Sequence, residues 1–332
     1  MHTNSSTVQD AQAINDGLAG AIAAAGYAPS TRNTQPWWWC LDGDTANLYL
    51  ERSRVRTVTD PDLRQAILSC GAALHHVRTT LAAEGWRVAV TRMPDAADQD
   101  HFAHLRVEQS APPDPEAVRH VRTIPLRHTN RRPVTGAPVG SEDVRAITAA
   151  VRAEGGWLQI LYTDQVLELS AAAGRAQHAD SGEPVWQAEL AYWTGTQPAG
   201  ATGPRADVAK QAPPTTVAGP DSAEPPINAQ NDRTALFAIL YGRSDEPRDW
   251  LRAGEALSAG WLTATERGIS VLPLSAPVEV SGTRDTMHRL LSYLNHPFLV
   301  LRLGTVDAAH TDAPYVPRVP AEQIIQRPDA VL

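Results

Sequence analysis

Two stretches of the chain repeat each other without a gap. Residues 71–94, GAALHHVRTTLAAEGWRVAVTRMP, align with residues 254–277, GEALSAGWLTATERGISVLPLSAP. Identical residues meet at Gly71/Gly254, Ala73/Ala256, Leu74/Leu257, Thr80/Thr263, Gly85/Gly268, Val88/Val271 and Pro94/Pro277. In each copy a helix with small residues ends at a glycine, where a left-handed cap is easiest, and a β-branched strand follows. The repeat predicts a chain built from two related halves.

The segments upstream of each copy extend the same plan. An alanine-rich helix near 11–26 precedes strands near 37–41 and 46–50. In the second half, 141–154 opens with a Ser/Asp-type N-cap, and a strand follows at 157–162. We therefore expect an α+β fold with helices around mixed sheets. The halves are expected to be residues 1–115 and 116–332.

Bulk properties exclude several classes of protein. The net charge of −8 and the pI near 5.8 do not suit a surface that binds nucleic acid or anionic membrane. No apolar run approaches the roughly 20 residues of a membrane helix, and the first residues carry no basic signal region. The two cysteines, Cys40 and Cys70, have no metal-type spacing. We expect a cytoplasmic protein with a small-molecule substrate, without a metal and without nucleic-acid or membrane partners.

A polar loop at 28–37, APSTRNTQPW, lies between the first helix and the first strand. Short hydrogen-bonding side chains crowd there between Pro29 and Pro36, which restrict the backbone. The loop is either a plain helix-to-strand connection or part of a binding site. The second half has no counterpart, since 154–157 reads only Glu-Gly-Gly-Trp. This asymmetry favours the binding site.

A basic cluster at 127–133, RHTNRRP, is the second candidate. Three arginines around Thr129 and Asn130 suit an anion, because guanidinium groups bind phosphate in a bidentate manner. The alternative is a solvated loop before Pro133. Near the C-terminus, Arg318 stands among prolines and adds a further positive charge.

Residues 196–230 form a long segment rich in Pro, Gly and Ala, with little apolar periodicity. Segments of this length without regular structure are usually functional lids or disordered linkers, and the sequence leaves both open. The tryptophan run 37–39 also has two interpretations. Trp37 and Trp39 share one strand face, which either packs into the core or lines a ligand pocket.

Together these residues resemble the nitroreductase superfamily of FMN proteins, and most closely its Acg-type branch, in which two halves are fused. The resemblance covers about 11–320. The matching segments are PSTRNTQPW at 29–37, SCGAALHHV at 69–77, RHTNR at 127–131, ELAYWTG at 189–195 and Pro-Arg at 317–318. It implies a nitroreductase-like intramolecular pseudo-dimer that is monomeric, although further dimerisation is possible.

The resemblance also implies the roles of individual residues. Arg127 and Thr129 would hold the phosphate and ribityl groups of FMN, with Arg318 also on the phosphate, and Arg131 would lie near the pyrimidine edge of the flavin. The covering loop would supply Pro29, Ser30, Thr31 and Asn33 from the other half. Pro273, Leu274 and Ser275 match the segment whose backbone passes the flavin N5, with Ser275 where many relatives carry a glutamate.

Two conclusions follow from the resemblance. One complete site implies one FMN per chain, because the first half lacks the basic clamp and the second half lacks the covering loop. The implied activity is that of an FMN-dependent oxidoreductase, in which NAD(P)H gives hydride to flavin N5 and a nitroaromatic, quinone or other small acceptor receives it. No dedicated catalytic side chain is expected beyond the electrostatic role of Arg131.

Two alternative functions remain open from the sequence. One is a protein that sequesters FMN beneath a closed lid with little turnover. The other is an oxidoreductase that acts on one particular metabolite.

Overall fold

Two β-sheets surrounded by helices form the structure, a computed structural model that describes residues 3–134, 136–180, 234–279, 281–305 and 317–328. The helices are α1 (Thr3–Ala25), α2 (Arg64–Ala83), α3 (Pro115–Thr123), α4 (Ser141–Ala153), α5 (Thr163–Asp180), α6 (Pro247–Glu266), α7 (Ala276–Glu279), α8 (Ser281–Leu290) and α9 (Ala321–Ile324). The strands are β1 (Trp37–Asp42), β2 (Thr45–Leu50), β3 (Trp86–Arg92), β4 (His101–Ser110), β5 (Trp157–Ile160), β6 (Leu236–Gly242), β7 (Ile269–Leu274), β8 (His296–Thr305) and β9 (Ile325–Gln326). The predicted α+β class with mixed sheets is confirmed.

The first sheet has the strand order β3-β4-β2-β1-β9. Its pairs are antiparallel except for β1 with β9, which brings the C-terminal segment back beside the first strand. Along β1, Trp37 and Trp39 are fully buried in the core, whereas Trp38 faces the other side and stacks on Tyr49 with ring centroids 4.4 Å apart. Of the two interpretations of the tryptophan run, the structure supports core packing.

The second sheet has the order β5-β6-β8-β7 and is antiparallel throughout. Its middle strands are buried along nearly their whole length, rather than on alternate residues as in β1 and β2. Strands that are covered on both faces show this pattern. The second sheet is therefore enclosed more completely than the first.

The two repeat helices, α2 and α6, cross each other at their aligned glycines. A Cβ atom built on Gly71 would lie 1.9 Å from the carbonyl oxygen of Leu251, and one on Gly254 would lie 1.9 Å from that of Leu68. One helical turn on, the aligned pair His75 and Ser258 makes a 2.9 Å contact between Nδ1 and Oγ. Reciprocal contacts between equivalent positions are typical of a two-fold interface. They support the predicted two-half arrangement.

Local expectations from the sequence hold with one correction. Gly85 and Gly268 end the repeat helices with φ of +85° and +71°, as predicted for glycine caps. The predicted Ser/Asp-type cap of α4 was wrong, because Gly140 occupies the N-cap position and makes no side-chain hydrogen bond there. The boundary after residue 115 stays a prediction. The segments 189–195 and 196–230 lie outside the described residues.

Candidate cofactor site

The covering loop has an unusual backbone. Arg32, Asn33 and Gln35 adopt φ values of +53°, +58° and +48°, a region that residues other than glycine rarely occupy. The Ser30 hydroxyl accepts a hydrogen bond from the backbone N–H of Gln35 at 3.0 Å, and the half-buried Pro29 precedes it. Such strain persists only where the surroundings determine the conformation, and it concentrates at functional sites.

Helix α2 anchors the middle of this loop. The backbone N–H of Thr31 donates to the Ser69 hydroxyl at 3.3 Å, and the Thr31 hydroxyl donates to Oε1 of Gln65 at 3.2 Å. The side chain of Asp60 in turn accepts from the backbone N–H groups of Gln65 and Ala66, at 3.1 and 2.9 Å. The loop is thus fixed to the first turns of a repeat helix.

The C-terminal segment is bound directly to the same loop. Nδ2 of Asn33 donates to the Pro317 carbonyl at 2.9 Å, and the backbone N–H of Val319 donates to Oε1 of Gln35 at 3.0 Å. Between them, Nη1 of Arg318 donates to Oδ1 of Asn33 at 3.2 Å and to the Ala28 carbonyl at 3.1 Å. The structure therefore brings together the predicted loop and the predicted tail arginine, which are far apart in the sequence.

Arg127 reaches the same end of α1 from the basic cluster. Its side chain is 6% exposed, and Nη2 donates to the Tyr27 carbonyl at 3.2 Å. Its guanidinium lies over the ring of Trp261, with Cζ 4.4 Å from the ring centroid. Its Nε is buried without a hydrogen-bond partner. Arg127 and Arg318 thus donate to consecutive carbonyls, those of Tyr27 and Ala28.

The electrostatics of this arginine pair are unfavourable in the protein alone. Burial, and then the positive charge of Arg318, lower the pKa of Arg127 to about 9. Burial lowers the pKa of Arg318 to about 10, with Tyr27 acting in the opposite direction. Among the described residues, no carboxylate forms a salt bridge with either arginine, although Arg56, Arg78 and Arg92 each have one. Two neighbouring cations that remain charged at neutral pH, without a salt bridge to a described carboxylate, are suited to binding an anion.

The rest of the basic cluster lies along the second sheet. Thr129 forms a parallel bridge with Val271 of β7, and the backbone N–H of Asn130 donates to the Val271 carbonyl at 3.3 Å. Two residues further along each chain come Arg131, which is half-buried, and Pro273. The bridge brings the start of the basic cluster beside the strand that contains Pro273 and Leu274. The predicted clamp and the predicted 273–275 segment are therefore neighbours.

The 273–275 segment ends in a short helix that contacts the first half. Leu274 and Ser275 are buried, and the Ser275 carbonyl accepts from the backbone N–H groups of Val278 and Glu279 at 2.9 and 3.1 Å. The carboxylate of Glu279 pairs with Arg56 at 3.3 Å, with their side chains 7% and 3% exposed. This buried ion pair belongs to neither motif, and no sequence pattern predicts it.

Several contributors to the site were missed as site residues from sequence. Tyr27 and Ala28 contribute backbone carbonyls, which carry no sequence signal, and the ring of Tyr27 also has its centroid 6.0 Å from Cζ of Arg318. Trp261 belongs to the repeat helix and reads as a core residue. Gln35 was noticed within the loop, but its role in holding residues 317–319 depends on a contact across most of the chain. Within the described ranges, no group of three or more His, Cys, Asp or Glu side chains could hold a metal, and no helix is long and apolar enough to span a membrane.

Comparisons with known proteins place the chain in a family. It is 33% identical over 331 residues to a Mycobacterium tuberculosis H37Rv protein named "Putative NAD(P)H nitroreductase Rv3131", covering 97% of this chain and 94% of that protein. It is 29% identical over 326 residues to "Putative NAD(P)H nitroreductase acg" of the same strain, covering 95% and 97%.

A solved structure, the FMN-dependent nitroreductase NfnB from Mycobacterium smegmatis in complex with NADPH, matches 62% of this chain and 96% of its own, with 16% identity and a TM-score of 0.41. No family model matches the chain. The predicted resemblance is confirmed by the relative that matches nearly the whole chain at 33% identity. The chain belongs to the nitroreductase family and is Acg-like.

Proposed function

We propose that this protein is an FMN-dependent NAD(P)H oxidoreductase of the nitroreductase type. The observation that carries the proposal is the pair of buried Arg127 and half-buried Arg318, which has no salt bridge to a described carboxylate and lies against the covering loop. A phosphate monoester supplies the missing negative charge and several strong acceptor oxygens. The relative named as an NAD(P)H nitroreductase supports the same cofactor chemistry.

The donors present fit FMN in kind. Arg127 and Arg318 would hold its phosphate, and Thr129 would contact the ribityl chain. Ser30, Thr31 and Asn33 would contribute the polar wall on the other side, and Pro273, Leu274 and Ser275 the backbone edge. When bound, the flavin supplies two-electron chemistry, accepting hydride from NAD(P)H and passing electrons to a nitroaromatic, quinone or similar small acceptor.

The chain itself contributes charge and placement to that chemistry. Arg131 comes two residues after Thr129, which bridges Val271 of β7, so its positive charge would lie near the segment that would border the flavin ring. A charge-assisted hydrogen bond from such a group contributes about 1.5–3 kcal/mol. Arg131→Ala is accordingly expected to lower the flavin reduction potential, which spectroelectrochemical titration measures. An unchanged potential would remove this role from Arg131.

We further propose that each chain binds one FMN and that the two halves act as a monomeric pseudo-dimer. The repeat aligns Trp261 with Arg78 and Ser275 with Arg92. At the repeat-related position both arginines are bound to the carboxylate of Glu255, which is fully buried. The charge that an anion would supply at this second position is already provided by the chain.

The visible spectrum of the purified protein tests the proposal, together with its FMN content and its mass in solution. We expect close to one FMN per chain, and bleaching by anaerobic NADPH that reverses on adding an acceptor. Arg127→Gln should lose FMN while Glu266→Gln, at an exposed ion pair remote from the site, should retain it. A flavin that does not bleach would instead identify a protein that sequesters FMN. A chain that takes up no FMN would overturn the proposal.

A further inference from the structure

The ring of Trp261 packs against the guanidinium of Arg127, one of the two arginines of the proposed anion site. It lies on α6, is 2% exposed, and its ring centroid is 4.4 Å from Cζ of Arg127. The face of an indole carries negative electrostatic potential and attracts a cation placed over it, most strongly where water is excluded. Both groups are buried, so this attraction is screened little.

An aromatic ring and a carboxylate stabilise a guanidinium in different ways. A carboxylate accepts the N–H groups of the fork, which then cannot bind a ligand. The indole contacts the flat face of the guanidinium and leaves the N–H groups in its plane. Among the described residues, the Arg127 guanidinium also bonds from Nη2 to the Tyr27 carbonyl and interacts electrostatically with Arg318 and His76. The ring therefore keeps Arg127 in place and charged while its donors stay available.

The repeat supplies a natural comparison for this position. Arg78 is aligned with Trp261, and its own guanidinium is bound by the carboxylates of Glu154 and Glu255. There, the arginine is neutralised within the chain and has no need of a ligand. At this position of the repeat helix, Trp261 borders the proposed anion site. Its counterpart Arg78 instead belongs to an ion network within the chain.

We propose that Trp261 is a positioning residue of the anion site, holding the Arg127 guanidinium flat and charged so that it can bind the FMN phosphate. The inference rests on the proposed function, because the anion is taken to be that phosphate. Trp261 also belongs to the hydrophobic core. A purely structural role would affect every ligand and the fold alike, whereas a positioning role affects the phosphate selectively.

The test compares FMN with riboflavin, which lacks the phosphate, by titration of the apoprotein for each variant. We expect Trp261→Leu to weaken FMN binding about tenfold or more and riboflavin binding less than about threefold. Trp261→Phe, which keeps an aromatic face, should retain FMN affinity within about threefold. Trp250→Leu is the matched control, since Trp250 lies on the same helix, is 1% exposed, and is not part of the site.

Fluorinated tryptophan provides a version of the test without a cavity, should Trp261→Leu fail to fold. Fluorine weakens the negative face of the ring at nearly constant shape, so FMN affinity should fall on labelling the wild type and stay unchanged on labelling Trp261→Phe. Equal losses of FMN and riboflavin, a Phe variant as weak as Leu, or no response to fluorination would overturn the inference. Wild-type protein that binds neither FMN nor inorganic phosphate would instead overturn the proposed function.

Discussion

Near the ends of α1 and α4 lie buried and half-buried arginines in opposite electrostatic settings. At the end of α1, Arg127 and Arg318 donate to backbone carbonyls and have no salt bridge to a described carboxylate. At the end of α4, Glu154 accepts from Arg78 at 2.6 Å, and Glu255 binds both Arg78 and Arg92. The repeat aligns Arg78 with Trp261, so equivalent helix positions border one arginine group without a salt bridge to a described carboxylate and one group that is paired with Glu255.

The pKa shifts of the arginines separate the two regions more clearly than burial does. Burial alone would lower the pKa of Arg78, but the carboxylates of Glu255 and Glu154 raise it above its ordinary value. The pKa values of Arg127 and Arg318 are both lowered, because burial is not compensated by a carboxylate. A buried arginine therefore indicates a ligand site only where its charge is left without a counterion.

A few substitutions between the repeats produce this difference. Arg78 aligns with Trp261, Arg92 with Ser275, and Glu255 with Ala72. The first half thus places two cations where the second half has neutral side chains, and the second half supplies the buried carboxylate that pairs with them. Single substitutions among these residues should therefore change whether a nearby arginine is paired with a carboxylate of the chain.

The largest effect is expected at Glu255, the centre of the closed network. Glu255→Ala removes a fully buried carboxylate and leaves the half-buried Arg78 and Arg92 beside each other, which should lower the free energy of unfolding by about 3 kcal/mol. Denaturant unfolding measures the loss, and added phosphate should recover part of it in this variant. Glu266→Ala, which breaks the exposed pair with Arg119, should cost about 1 kcal/mol or less.

The effect of phosphate on the Glu255 variant shows whether the two regions are alike. If phosphate stabilises Glu255→Ala more than it stabilises Glu266→Ala, the region around Arg78 and Arg92 can bind an anion, and the Glu255 carboxylate occupies that place in the wild type. If phosphate stabilises Glu255→Ala no more than Glu266→Ala, the two regions are similar in structure but only one of them binds an anion.

The helix crossing offers a test of what the two halves have in common. Gly71→Ala and Gly254→Ala each place a methyl group against a backbone carbonyl of the other helix, at distances that require the helices to separate. We expect each to cost about 3 kcal/mol, near the upper end for overpacking, and the two losses to be similar. Gly20→Ala on α1, where nothing lies within 4 Å, should be neutral or slightly stabilising. Strongly unequal losses at the two glycines would contradict the two-fold arrangement.

The symmetric part of the molecule was the part that the sequence could predict. The aligned glycines, the caps at Gly85 and Gly268, and the strands at 37–41, 46–50 and 157–162 follow from local propensities and the repeat. The strands His101–Ser110, Leu236–Gly242 and His296–Thr305 were not identified. The last two are buried on both faces and lack the alternation that marks a strand at a surface.

For the site, motif residues were predictable and their supports were not. Arg127, Arg318 and Asn33 stand in recognisable segments, and the structure brings them to one end of α1. The carbonyls of Tyr27 and Ala28 have no side-chain signature, because backbone groups are present at every residue. The pair Arg56–Glu279 joins residues 223 positions apart in the sequence, so local pattern contains no information about it.

Removing the charge of Arg127 should sharpen the contrast with Arg78. Arg127→Met is expected to raise the Kd for FMN about 100-fold, or about 2.7 kcal/mol, through the loss of charge-assisted hydrogen bonds. In phosphate-free buffer its free energy of unfolding should be unchanged or higher, since an uncompensated buried cation is removed. Arg78→Met should do the reverse, destabilising the protein by leaving Glu255 with one cation fewer while FMN binding is retained. Calorimetric titration and denaturant unfolding of the same four samples, each variant with and without FMN, separate the two effects.

The first turns of the repeat helices should differ in their response to pH. Burial raises the pKa of Asp60 to about 6, although the N–H groups of Gln65 and Ala66 oppose the shift. The pKa of Asp245, before α6, is lowered, because hydrogen bonds from Trp250 and Arg284 and the charge of Arg284 outweigh its burial.

The sign of the Asp60 effect follows from proton binding. The folded pKa lies above the unfolded value of 3.8, so between these values the folded chain holds more protons than the unfolded chain. Asp60 therefore makes the free energy of unfolding fall as pH rises, by about 2 kcal/mol from pH 4 to pH 6. Asp60→Asn should remove this decline. Asp245→Asn should leave it in place and instead remove a loss of stability below about pH 4, where a carboxylate with a lowered pKa becomes protonated. Denaturant unfolding of the wild type and both variants from about pH 3 to pH 7 measures these differences. If the free energy of unfolding of Asp60→Asn declines with pH as steeply as that of the wild type, Asp60 does not titrate in this range.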